Sequence, residues 1–555
     1  MDTKEILTFQ FGNYSNYVGS HWWNLQEFSF NYDSQSEPSQ IDHGVFYREG
    51  LNEKGYITFT PRLLLVDQNG TLNGIPESGG LYSNSLTNPN HELVNEEVNK
   101  KLFNDIKKEI SWDSTKIDIV QTEPSNQVES KSDINEDLDE ETLDAWSDFL
   151  YTRFHPRTIN ILKKHKFSAE KESIDTFTYG TTLWNSNIFQ ETFIDNIRRY
   201  MEECNNCQGF QTLFDLSNGF SGLACKNLEY LQDEYGKTNL AVPLFSPKSI
   251  LYENADEKLS YAIRLVNIAA TYSSLTEHSS LFIPLSTQDY IWKKPPRART
   301  FRYMDYNSKS LYHTSAILAT YLETISLRYR LRSSGYSSHL FEFCCDLNNY
   351  GRKLAAAALS LPFPLRQDED LIDMLNEIDY PISTQLSPNC KIGTDYIIQS
   401  VSVRGIPKSR LKRPLQEAQK QMKMAAYRCS SVSEMLQLYF QCSNHASMAH
   451  VAAVETPIHI KNLYPEKIFH PNLNIQGFLT GHQRQTRIKS IPCMASIQNS
   501  TDLSKTIESL HNEARRVNIS KIHRFKETGM EADDYVEILE NLMQFKDAYE
   551  DTIDL

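Results

Sequence analysis

The chain has 555 residues, 40% of them hydrophobic, and a formal net charge of −15. That length can bury a large core and exceeds one simple domain, so two or three domains are expected. The acidic balance argues against a nucleic-acid binder, which needs a basic face against phosphate, and the nine scattered cysteines read as reduced thiols of a cytosolic protein.

The opening, Met1 followed by Asp2, Thr3, Lys4 and Glu5, reads as neither a secretory signal nor an arginine-rich transit peptide. The longest apolar run, residues 354–359, is short of a membrane span and stops at Pro362. Membrane association is therefore expected to be peripheral or through a partner. Residues 5–11 alternate like a strand, Gly12 and Asn13 break it, and Tyr17, Val18, Trp22 and Trp23 mark a helix packing back on the sheet. Leu63, Leu64, Leu65 and Val66 read as a strand buried on both faces, ended by Asp67 and the turn Gln68, Asn69, Gly70. Residues 123–144 are acidic and poor in apolar groups, which predicts an exposed, mobile insertion.

Order is expected to resume at Trp146. A helix over 189–204 follows, with Phe189, Phe193, Ile197 and Tyr200 at core spacing. A strand over 209–214, a loop over 216–222, a helix over 223–235 and a strand over 240–245 come next. This alternation predicts a doubly wound α/β domain. A long helix over 311–328, a region of mixed strands and helices, and closing helices over 503–516 and 532–547 complete the chain.

The pieces resemble the tubulin superfamily, in order. Residues 5–19 are similar to tubulin's first strand and phosphate loop, and residues 60–67 with Gly70 and Thr71 to its second. Gln208, Gly209, Phe210 and Gln211 run into the loop where tubulins carry a glycine-rich signature. Leu347 and Asn348, with residues 352–355 and 362–364, resemble the start of the second domain. Residues 499–501, 523–525 and 528–531 resemble the C-terminal helical region. Two features resemble the Misato family in particular. One is His21-Trp22-Trp23-Asn24; the other is Trp146-Ser147-Asp148-Phe149-Leu150 followed by Phe154-His155-Pro156-Arg157.

The resulting expectation is an α/β, tubulin-like fold. A Rossmann-type domain comes from residues 1–72 and 170–305, interrupted by an insertion over 73–169. A core helix at 306–330, an α+β second domain over 331–500 and C-terminal helices over 501–555 follow. The resemblance further implies a role in mitochondrial distribution and morphology and in tubulin-dependent spindle assembly and chromosome segregation. It implies tubulin and the cytosolic chaperonin complex as partners, and a place in the cytoplasm and, peripherally, on the mitochondrial outer membrane.

A phosphate cradle needs backbone N–H groups close to oxygens, and glycines and helix N-termini provide that approach. Of the tubulin-type signature Gly219, Ser221 and Gly222 remain, while Ser217, Asn218 and Phe220 replace smaller or more permissive residues. The Phe220 side chain needs a place, and the phosphate space is one. In the first loop Gly12 and Asn16 remain, with Asn13 between them, but Tyr14, Ser15 and Tyr17 are replacements. Asp67 remains, whereas Gln68 and Asn69 stand where a metal-supporting glutamate is expected. The third loop has only residues 179–184 in its place. The base-reading asparagines align near residues 277–280 and at Ala316, and the water-activating acid aligns with Lys353, with Tyr350 nearby.

Gly12, Asn13, Asn16, Asp67, Gly219, Ser221 and Gly222 therefore read as remnants of a GTP site, with no catalytic residue and no metal ligand. The expected function is non-enzymatic, with no cofactor and GTP not favoured. The alternatives are an active polymerising GTPase or an adaptor of the tubulin chaperonin.

Residues 219–223 nearly spell a nucleophile elbow but lack its last glycine. Cys204 and Cys207 have zinc-like spacing without a second pair, and Cys344 and Cys345 read as neighbours on a strand, facing opposite sides. Two basic stretches, residues 293–299 and 404–413, read as solvated loops or as docking sites for an acidic partner or anionic lipid.

Overall fold

The computed structural model describes residues 4–30, 39–51, 57–73, 75–81, 143–168, 173–247, 255–332, 339–390, 398–412, 424–444, 448–461 and 463–550. The acidic stretch expected at 123–144 lies outside the described residues except for its last two positions.

The first sheet is built from β1 (Glu5–Phe11), β2 (Leu63–Asn69), β3 (Ile159–Lys166), β4 (Cys207–Asp215), β5 (Thr238–Leu244) and β6 (Leu281–Phe282). Its strands are ordered β3-β2-β1-β4-β5-β6, and each neighbouring pair is parallel. The order reverses between β1 and β4. Such a switch point is where doubly wound sheets have a crevice beyond their carboxyl ends and bind their ligands.

β1 is buried at all seven residues because both faces are covered. Ile6 faces a cluster shared with helix α1 (Asn13–Glu27), while Leu7, Phe9 and Phe11 face a second cluster on the opposite side. That second cluster holds helices α2 (Phe177–Trp184), α3 (Ile194–Glu203), α4 (Phe220–Tyr235) and α5 (Ala255–His278).

The core helix, α6 (Leu311–Ile325), is buried at every residue from Tyr312 onward. It packs against α1 and against the second sheet, within one continuous apolar cluster that also takes in residues of the first sheet. The second sheet comprises β7 (Ala356–Ser360), β8 (Thr384–Gln385), β9 (Ile398–Arg404), β10 (Met448–Val454) and β11 (Cys493–Asn499), ordered β8-β7-β11-β9-β10. Glu323 of α6 is fully buried and held by Arg330 at 2.7 Å, Arg404 at 2.8 Å and the Trp22 indole at 3.2 Å. This network ties α1, α6 and β9 together, and removing one partner of such a buried group costs about 3–5 kcal/mol.

After α7 (Leu340–Leu347) and the second sheet, helices α8 (Leu503–Ala514) and α9 (Ala532–Asp547) pack back on α5. Among the described residues no helix is long and apolar enough to cross a membrane.

Three sequence expectations are corrected. Residues 159–166, assigned to an insertion, are the edge strand β3 of the first sheet. A mixed apolar and lysine-rich run does not look like a parallel strand, and only pairing with β2 makes it one. Residues 179–184, treated as a loop, lie in α2, capped by the Thr176 hydroxyl accepting from the Tyr179 N–H. Cys344 and Cys345, expected on a strand, lie in α7, whose buried Leu340, Phe343, Cys344 and Leu347 follow helical spacing.

Candidate functional site

The crevice at the switch point is bounded by Gly12 after β1, Asp67 in β2, Asp215 at the end of β4 and the first turn of α1. The first N–H groups of a helix have no partner within it and carry partial positive charge, so they attract an anion. Here the anion is internal. The Asp215 carboxylate accepts from the Tyr14 N–H at 3.1 Å and the Ser15 N–H at 2.7 Å. Gly12 has φ +103°, and a Cβ added there would come within 2.6 Å of that carboxylate. The glycine is thus required by the approach of Asp215. A phosphate on these N–H groups would have to displace Asp215.

Asp67 is fully buried and equally engaged. It accepts from the Asn16 amide at 2.8 Å, the Trp146 indole N–H at 2.8 Å and the Gln68 N–H at 2.8 Å. Burial nevertheless pushes its carboxyl up to about 6, against the opposing pull of those hydrogen bonds. Asn13 opens α1 and is half-buried. Among the described residues no group of three or more His, Cys, Asp or Glu is placed to hold a metal ion.

The face of α1 turned to the core helix is closed by the turn Trp146–Phe149. Tyr14, Tyr17, Trp146 and Phe149 are all buried in the cluster that contains α6. The His21 ring stacks on Phe149, centroids 4.4 Å apart, and its Nε2 lies 3.1 Å from the Tyr312 carbonyl, which it can approach only as a donor. Burial lowers the His21 pKa to about 3, so the ring is neutral. Asn24 donates to the Phe149 carbonyl at 2.7 Å and accepts from the Tyr151 N–H at 2.8 Å. The two sequence features singled out above, around His21 and around Trp146, therefore form one packed unit, and its Trp146 reaches Asp67.

Gly219, Ser221 and Gly222 sit one loop beyond Asp215, at the start of α4, and the two glycines face α2. A Cβ at Gly222 would overlap the Phe177 carbonyl, and one at Gly219 would come within 2.5 Å of the Thr176 carbonyl. Gly180 of α2 is equally tight against the Gly219 carbonyl. These glycines permit backbone-to-backbone packing of α2 on α4. The local N–H groups are occupied as well: Gly219 donates to Ile174, Phe220 to the Asn218 side chain and Ser221 to the Asn218 carbonyl. The Ser221 hydroxyl turns back to the Asn218 carbonyl at 2.7 Å. Phe220 is buried in the cluster of α2 to α5, with Phe11, Ile174 and Leu216, and not in the crevice above α1.

The aligned base and hydrolysis positions also have other duties. Residues 277–280 precede β6 and so lie at the amino ends of the strands, opposite Gly12; the alignment there is corrected by the topology. Ala316 is fully buried in α6. Lys353 donates to the Thr276 and Glu277 carbonyls at 2.6 and 3.4 Å, a cation at the C-terminus of α5.

Sequence reasoning missed Asp215, Asn267 and the partnership of Trp146 with Asp67. Asn267 of α5 is fully buried and binds the Asp175 carbonyl, the Ser217 carbonyl and the Phe177 N–H, tying two site loops together. A usable signal existed for Asp215: a carboxylate ending a buried strand beside a helix N-terminus.

Residues 4–140 match the family described as Misato Segment II tubulin-like domain, and residues 135–331 match the tubulin domain family. Protein misato of Drosophila melanogaster is 39% identical over 572 residues, covering 99% of this chain and 99% of that protein. Protein misato homolog 1 of Homo sapiens is 30% identical, covering 99% of this chain and 98% of its own length. Protein dml1 of Aspergillus clavatus is 29% identical over 59% of this chain. With the parallel sheet, the core helix and these full-length similarities together, the chain belongs to the Misato family of tubulin-like proteins.

Proposed function

We propose that this protein works without nucleotide, as a non-enzymatic, tubulin-like regulator of mitochondrial distribution and morphology with a part in tubulin-dependent spindle assembly and chromosome segregation. The observation that carries the first half is the Asp215 carboxylate on the N–H groups of Tyr14 and Ser15, where a phosphate would have to bind. Three further features support it. The N–H groups of Gly219, Phe220 and Ser221 are engaged locally. Asp67 is enclosed by Asn16 and Trp146. Lys353 caps a helix instead of activating a water. In this reading Gly12, Asn13, Asn16, Asp67, Gly219, Ser221 and Gly222 are retained for the internal contacts just described, and no cofactor is held.

The cellular half rests on family membership: action in the cytoplasm and, peripherally, at the mitochondrial outer membrane, with tubulin and the cytosolic chaperonin as partners. Titration calorimetry with GTP and Mg²⁺ on the full chain, beside a turnover assay, tests the first half. No heat of binding and no phosphate release are expected. Micromolar or tighter binding would instead favour the polymerising GTPase. Alkaline extraction of mitochondria tests the peripheral placement, since an anchored protein would stay in the pellet.

A further inference from the structure

The two basic stretches of this acidic chain have different fates. In the second, Arg404 is buried on Glu323, Arg410 donates to the Arg366 and Glu369 carbonyls, and Lys412 donates to the Tyr427 and Cys429 carbonyls at 2.8 and 3.0 Å. Those cations serve the fold. The first stretch lies differently. Buried Trp292 anchors it to α8 through an indole bond to Ser509 at 3.2 Å, and Lys293 then turns outward with φ +72°. That backbone region is uncommon for a lysine and marks a position held by its surroundings.

A cavity of about 430 Å³ lies beside this turn, lined by Lys293, Ser509, Asn512, Glu513, Arg515 and Arg516. Three cations face one carboxylate, so its lining carries two net positive charges on a chain of net −15. Glu513 pairs with Arg516 at 2.7 Å, while Lys293 and Arg515 are exposed and form no ion pair with other described residues. Lys294 and Arg297, also exposed, extend the positive surface along the same loop.

We propose that this pocket, between the Lys293 turn and the C-terminal end of α8, is a docking site for the carboxylate side chains of an acidic peptide. A concave site lined by an amide and a hydroxyl beside its cations suits a peptide, whose backbone takes the polar groups and whose carboxylates take Lys293 and Arg515. Among the described residues none of the large exposed apolar side chains lines the cavity, whereas binding at a bilayer interface buries apolar side chains beside the cations. The chain's net charge of −15 disfavours an acidic partner elsewhere, so the pocket also sets where such a partner lands.

The test is fluorescence anisotropy of the full chain with a labelled glutamate-rich peptide and its glutamine counterpart, at low and physiological salt. The glutamate peptide should bind at least about tenfold tighter than the glutamine one, and binding should weaken with salt. Lys293→Glu with Arg515→Glu should weaken it at least about tenfold, and Glu513→Gln should strengthen it, because a repelling carboxylate is gone. Should the charge reversals unfold the protein, Lys293→Gln and Arg515→Gln serve the same purpose. Equal binding of both peptides, or equal binding by the variants, overturns the proposal. So does loss of phosphatidylserine-vesicle binding in the variants without any peptide binding by the unaltered protein, which would assign the surface to membrane.

Discussion

Replacing Asp215 by alanine is the most direct probe of the crevice. The change removes both acceptors from the Tyr14 and Ser15 N–H groups at the start of α1. Loss of a helix N-terminal cap costs about 0.5–2 kcal/mol. An unsatisfied buried N–H costs about 1–3 kcal/mol. The two contributions overlap, so the expected loss is about 2–3 kcal/mol, read as a lower urea midpoint. The same variant should gain sensitivity to inorganic phosphate, because the helix terminus regains its free N–H groups. Phosphate at about ten times its Kd would restore about 1.4 kcal/mol, while the unaltered protein should not respond. A stability change under about 0.5 kcal/mol, or equal phosphate response in both proteins, would falsify the assignment of Asp215 as the internal anion.

Three further outcomes are expected. The Asp67 pKa is raised to about 6 from 3.8, so the folded state holds a proton between those values that the unfolded state releases. Its contribution is fully present below pH ~4 and is lost as pH rises through ~6, about 3 kcal/mol in all. The urea midpoint of Asp67→Asn relative to the unaltered protein should therefore shift between pH 4 and pH 7, and a pH-independent difference would contradict the argument. Trp146→Phe keeps most of the packing but removes the indole N–H from Asp67, so this pH transition should move upward; Trp146→Ala should cost about 3–5 kcal/mol in denaturant unfolding. Gly222→Ala places a methyl group onto the Phe177 carbonyl and should destabilise by about 1–3 kcal/mol or more. A neutral result by thermal melting would mean α2 and α4 can separate freely.

The alternation of apolar strands with helices was legible because each such element reports its own burial locally: residues 5–11, 63–66 and 209–214 fall within strands of the first sheet, and 240–245 overruns its strand by one residue. The edge strand β3 was not, since Lys163, Lys164 and Lys166 reflect an edge position that only pairing with β2 establishes. The helix holding Cys344 and Cys345 was legible in principle from the spacing of Leu340, Phe343, Cys344 and Leu347. Two adjacent cysteines drew attention to strand alternation instead.

By itself the sequence determined the tubulin-like order of elements, the family signature pieces at His21 and Trp146, and the positions where glycine must stand. It could not say what each glycine makes room for, because a glycine's lack of a side chain is silent about its neighbour. Tertiary structure decided that Gly12 admits Asp215, that Gly219 and Gly222 admit the α2 backbone, and that Phe220 turns away from the crevice. The physical reason is separation along the chain. Asp215 lies 201 residues from Tyr14 and Trp146 lies 79 from Asp67, so each polar group finds its partner only when the sheet brings the strand ends together.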